Sequence, residues 1–320
     1  MLRILCALGV LVGLAAPPVM AQSNWPAKPV KLVVGFTAGS ATDVTARLFA
    51  DKFQKAWGQP VVVENVPGNS GAIGTDRVAK SAPDGYTLMW AGNAAITILP
   101  SLQTLPFDPL KDLTPISTSL RMPSIMMVNN DLPVKSIAEL IAYAKANPGK
   151  LSYGTPGVGT PQHVTGELFS HLAGIKMEHI PYRGANLSDL MSGVVQVGIQ
   201  NARASLPVER DGRNRGIGVT SLQRSPNAPD LPTFNESGFP GFEATSWFAL
   251  MGPAGLPKPI ADKVRAESLK VLADPEMKQK FATLGLDTVG STPEETRAAI
   301  AGDIPKWAKV IKDANIKPGN

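Results

Sequence analysis

The chain has 320 residues and a formal charge of +5, enough length for one large core or two moderate lobes. The basic excess is modest, and without a long basic tract or interleaved aromatic and basic residues it does not point to nucleic acid. The only cysteine, Cys6, lies in the first segment, so the rest of the chain has neither disulfides nor cysteine-held metals.

At the start, Arg3 precedes ILCALGVLVGLAA, and Val19 and Ala21 frame a cleavage site after Ala21. This is the pattern of a secretory signal peptide over residues 1–21. Pro17 and Pro18 follow an apolar run too short to span a membrane comfortably. Loss of Arg3 takes the charge from +5 to +4. A lipoprotein does not fit, because nearly the whole apolar run follows Cys6.

Residues 30–36, VKLVVGF, read as a buried strand. From Val44 the apolar positions Leu48, Phe49, Phe53 and Trp57 recur at helical spacing until Gly58 stops them. Ser40 and Asp43 have the spacing of an N-cap and its third helical residue, so Ser40 starts this helix. The small residues between strand and helix expose backbone N–H groups where an anion can bind without a cationic side chain. The segment lacks GxGxxG and the chain lacks GxxxxGK[ST], which argues against a nucleotide.

Next come a strand at 60–65, a glycine-rich turn, a short helix at 72–80 and a strand at 86–91 ending at Gly92 and Asn93. Residues 124–129 predict a strand and 136–146 a helix whose Ser136 and Glu139 repeat the capping pattern. A second small-residue loop, TPGVG, then opens a helix with Thr160 as N-cap, Pro161 in its first turn and Gly174 as its stop. If the two loops belong to different lobes, their helix N-termini face one another across a cleft. Residues 176–183 lead to a short helix starting near Ser188. Strands follow at 194–200, 216–220 and 247–254, then helices at 258–272, 275–283, 293–302 and 303–313. Strands alternating with helices predict parallel sheets with ligands at the carboxyl ends of the strands.

Catalytic signals are weak. His163, His171 and His179 do not make HExxH, there is no GxSxG elbow, and Glu64 and Asp84 have no carboxylate partner evident from sequence. Ser40 reads as a cap and Asp43 as an acceptor for loop N–H groups. Trp90 and Trp247 read as core residues. Arg183 and Arg203 occupy loop positions from which either can meet a carboxylate.

Taken in order, KLVVGFTAGSATDVTARLFA, VVVENVPGNSGAIGTDRVAKSAPDGYTL, SYGTPGVGTPQHVTGELF, PYRG and VTSLQRSPNAPDLPTFNESGFPGFEATSW resemble the tripartite tricarboxylate transporter (TTT) substrate-binding proteins, the TctC or Bug family. The resemblance runs from about Trp25 to Trp307. It implies an α/β, two-lobed periplasmic binding protein-like fold of type II, the Venus flytrap, each lobe a sheet flanked by helices. Lobe 1 would comprise 22–124 plus 245–320, and lobe 2 residues 125–244. The implied function is capture of a small carboxylate and delivery to a TTT membrane permease, by a periplasmic monomer without cofactor, metal or catalytic residues.

Carried over, the ligand contacts would be Phe36, Thr37, Ala38, Ser40, Ala41, Thr42 and Asp43, with Asn93 and Ala94, from one lobe. The other lobe would supply Thr155, Gly157, Thr160, His163, Tyr182, Arg183, Gly184, Asn201 and Arg203. The sequence departs from the family in two places. The first loop reads GFTAGSATD where PFPPGGPTD is usual, and Gln196 and Gln200 stand where aspartates are common. Losing those acids suggests a wall more open to a second carboxylate or an aromatic ring, hence a dicarboxylate or aromatic carboxylate ligand. A ligand sensor working through a membrane signalling partner shares this fold, and an extracytoplasmic hydrolase is a more distant alternative.

Overall fold

The computed structural model describes residues 24–182 and 187–317. The elements begin with β1 (Val30–Val34), α1 (Ala41–Trp57), β2 (Val61–Asn65), α2 (Ala72–Ala79), β3 (Thr87–Gly92) and β4 (Leu113–Met122). They continue with β5 (Ser124–Val128), α3 (Ile137–Ala146), β6 (Ser152–Thr155), α4 (Pro161–Ala173), β7 (Glu178–Pro181), α5 (Leu187–Met191), β8 (Val197–Asn201), α6 (Ala202–Arg210) and β9 (Arg215–Val219). The chain closes with β10 (Ser246–Pro253), α7 (Lys258–Ala273), α8 (Pro275–Thr283), β11 (Asp287–Thr288) and α9 (Pro293–Asp313). No helix among the described residues is long and apolar enough to cross a membrane.

Two sheets form, with strand orders β11-β4-β10-β3-β1-β2 and β7-β6-β8-β5-β9, each flanked by helices. The expectation of parallel sheets is corrected. β1 is parallel to β2 and β3, and β6 to β7 and β8, but β10 is antiparallel to β3 and β4, and β5 to β8 and β9. The cause is the crossing between lobes. β4 leaves the first sheet and, after Pro123 alone, becomes β5 of the second, while β10 returns beside β4 in the opposite direction.

Helix α1 shows how local sequence is converted into core. Ser40 is extended and its Oγ accepts from Asp43 N at 3.2 Å, while Gly58 ends the helix in the left-handed region at φ 65°. Ala46, Phe49, Ala50 and Phe53 fall on one face and are buried. Phe49 packs at 4.4 Å from Trp90 and 5.8 Å from Phe281. Burial of each such side chain contributes roughly 1.5–3 kcal/mol. The Trp90 indole, deep in this core, donates to Thr45 Oγ1 at 2.9 Å.

Residues 293–313, expected as two helices, form the single helix α9 with Pro305 inside it. Its Ile300 packs in the first lobe's core, whereas Trp307, Val310 and Ile311 pack in the second lobe's core, so one helix is anchored in both. Strands end earlier or start later than expected at β1 and β8, and β4, α6 and the turn of π-helix at Ala94–Ile98 are additions to the sequence reading.

Candidate functional site

Between the two sheets lies a pocket of about 230 Å³. Its first side is the start of α1, through Ser40, Ala41 and Thr42; its second is the start of α4, through Pro156, Thr160, Pro161 and Gln162. Asn201, the N-cap of α6, and Gly92, Asn93 and Ala94 at the end of β3 complete the polar rim. Phe36, Met122 and Phe248 give an apolar wall, with Ser70 and Ser246 beside it. Among the described residues no Asp, Glu, Lys or Arg is part of this lining.

The absence of charge among the described lining residues directs attention to the helix termini. In α1, Asp43 N is capped by Ser40, and Val44 N reaches Ser40 O, so intrahelical geometry leaves the N–H groups of Ala41 and Thr42 without a helical acceptor. In α4, Pro161 has no N–H and His163 N donates to Thr160 Oγ1 at 3.3 Å, which leaves Gln162 N in that position. At α6, Ala202 N is taken by Pro123 O and Ala204 N by the Asn201 side chain. An anion placed here would meet two helix N-termini from opposite lobes whose dipoles favour negative charge.

Asp43 is buried behind its loop. Its Oδ2 accepts from Gly39 N at 2.8 Å and from Arg47 Nε at 3.1 Å, and its Oδ1 accepts from Asn65 Nδ2 at 2.9 Å. Burial alone would raise this carboxyl, but the hydrogen bonds from Arg47, Gly39 and Asn65 hold it below its usual range. Arg47 also reaches Asn65 Oδ1 at 3.0 Å.

The second loop is braced by neutral groups. His163 Nδ1 accepts from Gly159 N at 3.2 Å, the His163 and His179 rings stack at 3.9 Å, and His179 Nε2 lies 2.7 Å from Thr155 Oγ1. Thr160 Oγ1 donates to Gly157 O at 2.7 Å. Burial, then the neighbouring His179, lowers His163 to about 3, and burial lowers His179 to about 4. Beneath them Tyr153 Oη donates to Glu167 Oε1 at 2.5 Å, and burial raises the Glu167 carboxyl.

Of the residues singled out from sequence, Phe36, Ser40, Ala41, Thr42, Asn93, Ala94, Thr160 and Asn201 come together in the pocket lining. Asp43, Thr155, Gly157 and His163 stand behind it as braces. Thr37 and Ala38 are exposed and outside the lining. Tyr182 is also outside it, its Oη donating to Asp189 Oδ2 at 2.8 Å. Arg203 Nη1 reaches Gly39 O at 3.4 Å, spanning the two lobes. Arg183 and Gly184 lie outside the described residues.

The glutamine wall is corrected. Gln196 takes Ser152 N at 3.0 Å and donates to Gly193 O at 3.0 Å, away from the cleft, and Gln200 is fully buried outside the lining. The lining residues that sequence reasoning missed are Ser70, Gly92, Met122, Pro156, Pro161, Gln162, Ser246 and Phe248. Ser70 had a signal in its glycines: a Cβ on Gly35 would lie 2.7 Å from Gly71 Cα, so only bare backbone lets the 68–71 turn come against the end of β1. Asn69 and Ser70 themselves sit at φ 48° and 46°, a region that costs ordinary residues energy. Among the described residues no cluster of three or more His, Cys, Asp or Glu is arranged to hold a metal ion.

Comparison with known proteins fits this geometry. Residues 45–316 match the tripartite tricarboxylate transporter family receptor, TctC. The chain is 36% identical to protein BugT of Bordetella pertussis, with 99% of each chain covered. A solved R. palustris protein with adipate is 35% identical at a TM-score of 0.81, covering 92% of this chain and 100% of that one. The periplasmic binding protein BugD is 34% identical at a TM-score of 0.78, covering 92% of this chain and 99% of that one. With its two α/β lobes and a cleft between helix N-termini, the chain belongs to the TctC family of periplasmic solute-binding proteins.

Proposed function

We propose that this protein captures a small dicarboxylate or aromatic carboxylate in the interlobe cleft and delivers it to a TTT-type permease. The observation that carries the reading is a small pocket, without charged side chains among the described residues, with a helix N-terminus on each side and Phe36, Met122 and Phe248 between them. Carboxylate charge at either end is answered by amide and hydroxyl dipoles, while the apolar wall accepts methylenes or a ring. The adipate-bound relative and a 28% identical relative with bound malate both carry dicarboxylates. In this reading Ser40, Ala41, Thr42, Asn93, Thr160, Gln162 and Asn201 contact the ligand, and Asp43 and His163 support the loops. The lobes are 22–124 plus 245–320 and 125–244, residues 1–21 are removed on export, and the protein acts as a binder, not an enzyme.

Thermal shift and calorimetry against adipate, malate, benzoate, nicotinate and phthalate test the proposal. A ligand at one hundred times its Kd stabilises by about 2.7 kcal/mol. The expected result is a saturable shift for one of these classes, with the ligand recovered intact and the monoamide of a dicarboxylate bound more weakly. Failure of every acid to shift the transition overturns the ligand class. Equal affinity for a dicarboxylate and its monoamide overturns the second carboxylate.

A further inference from the structure

Neighbouring residues of an extended chain face opposite sides, so the crossover strands that present Met122, Ser246 and Phe248 to the cleft present Arg121, Thr245 and Trp247 to the other side. There, between these strands and the middle of α9, is a second cavity of about 270 Å³. Its character is opposite to that of the cleft. Arg121 and Lys306 bring two cations, Glu243 and Asp303 two carboxylates.

These charges are unequally satisfied. Glu243 meets Arg121 Nη1 at 3.2 Å through its carboxylate, and its backbone carbonyl accepts from Lys306 Nζ. Asp303, half-buried, accepts among the described residues one hydrogen bond, from the Trp247 indole at 3.2 Å. Burial raises its carboxyl despite that bond and the nearby Lys306. A carboxylate offers about four acceptor positions, so Asp303 retains capacity for donors. On the same helix the Trp307 indole N–H, in a side chain only 2% exposed, finds no acceptor among the described residues.

Gly302 borders the same cavity. Glycine inside a helix costs about 1 kcal/mol relative to alanine. Gly302 has neither a left-handed φ nor a close neighbour, for a Cβ there would meet nothing within 4 Å. It is an exposed residue of the cavity lining beside Asp303, so a large side chain placed there can reach into the space.

We propose that this cavity is a second ligand site, separate from the cleft, for a small zwitterion whose ammonium group is held by Asp303 and whose carboxylate is held by Arg121 and Lys306. A lone cation entering the cavity is repelled by Arg121 and Lys306, and a lone anion by Glu243 and Asp303. A molecule with both charges matches a lining of two cations and two anions.

Calorimetric titration of the mature chain with glycine, β-alanine and 4-aminobutyrate, each beside the carboxylate and the alkylamine of equal length, tests the assignment. The expected result is saturable binding of at least one amino acid and of neither monofunctional analogue. Asp303→Asn, which keeps the shape but removes the charge, weakens that binding by about tenfold or more, the scale of a lost charge-assisted contact. Gly302→Phe, which fills the space without touching a charge, abolishes it. Near-ultraviolet circular dichroism establishes that both variants are folded before titration. Absence of binding by all three amino acids, or binding of equal strength in both variants and the wild type, overturns the proposal.

Discussion

The two loops that face each other across the cleft have the same design at their tips and opposite designs behind them. Each leads from a strand into a helix through small residues and a hydroxyl N-cap, Ser40 in one and Thr160 in the other. Behind Ser40 stands an ionised carboxylate, Asp43, tied to Arg47, Asn65 and Gly39. Behind Thr160 stand two stacked neutral imidazoles and a threonine. One geometry is therefore reached through charge and the other through its exclusion, and the two should fail under different conditions.

The largest break in this comparison is Asp43→Ala. It removes the acceptor shared by Gly39, Asn65 and Arg47, and the cost in unfolding free energy is roughly 2–4 kcal/mol. Urea unfolding measures that loss, and titration with the cleft ligand should show affinity falling with it. Asp43→Asn, which retains one acceptor oxygen, should lose less on both scales.

Acid separates the loops next. The two imidazoles titrate near 6.5 when unexposed to the fold, but at about 3 for His163 and about 4 for His179 in the folded protein. Between 6.5 and about 3 the unfolded chain therefore binds more protons, and stability from this pair is complete above 6.5 and declines as pH falls, down to about 4 for His179 and about 3 for His163. Glu167, whose carboxyl burial raises from 4.5, works the other way and offsets part of the loss at pH values above 4.5. Asp43 is lowered from 3.8, so its contribution is lost only below that value. Hydrogen exchange from pH 7 to 4 should show protection falling around Gly157–Thr160 before Gly39–Asp43, and His163→Gln should flatten the pH slope of the melting temperature. Simultaneous loss at both loops would end the distinction.

Smaller still are the caps. Ser40→Ala and Thr160→Ala each remove one N-terminal acceptor, worth about 1 kcal/mol by chemical denaturation. The smallest effect belongs to Arg203→Ala. Among the described residues its side chain makes one hydrogen bond, 3.4 Å to Gly39 O and exposed, so stability should change by less than about 0.5 kcal/mol. The dissociation rate of the cleft ligand, measured by stopped flow, is the quantity expected to rise.

What sequence revealed follows from the range over which each signal acts. The caps of α1 and α4 were legible because a hydroxyl and the N–H three residues on settle them locally. β4 was not, since Ser117, Thr118 and Ser119 interrupt its apolar pattern while being buried against Ser291, Thr296 and Ser268. Pro207 hid α6, and Pro305 made one helix read as two. Met122 and Phe248 could not be joined from sequence, because their meeting depends on an antiparallel pairing between distant segments. The resemblance supplied the two-lobed topology that periodicity could not.

The lack of charge among the described lining residues of the cleft has a consequence for ionic conditions. Attraction between separated surface charges decays over a Debye length of roughly 8–10 Å in physiological salt, and fades as salt is added. Here Ala41, Thr42 and Gln162 would meet an anion through dipoles at contact distance, inside a pocket whose described lining residues carry no formal charge. There is little for added electrolyte to screen. Such a cleft would hold its solute with nearly the same grip in dilute and in saline surroundings.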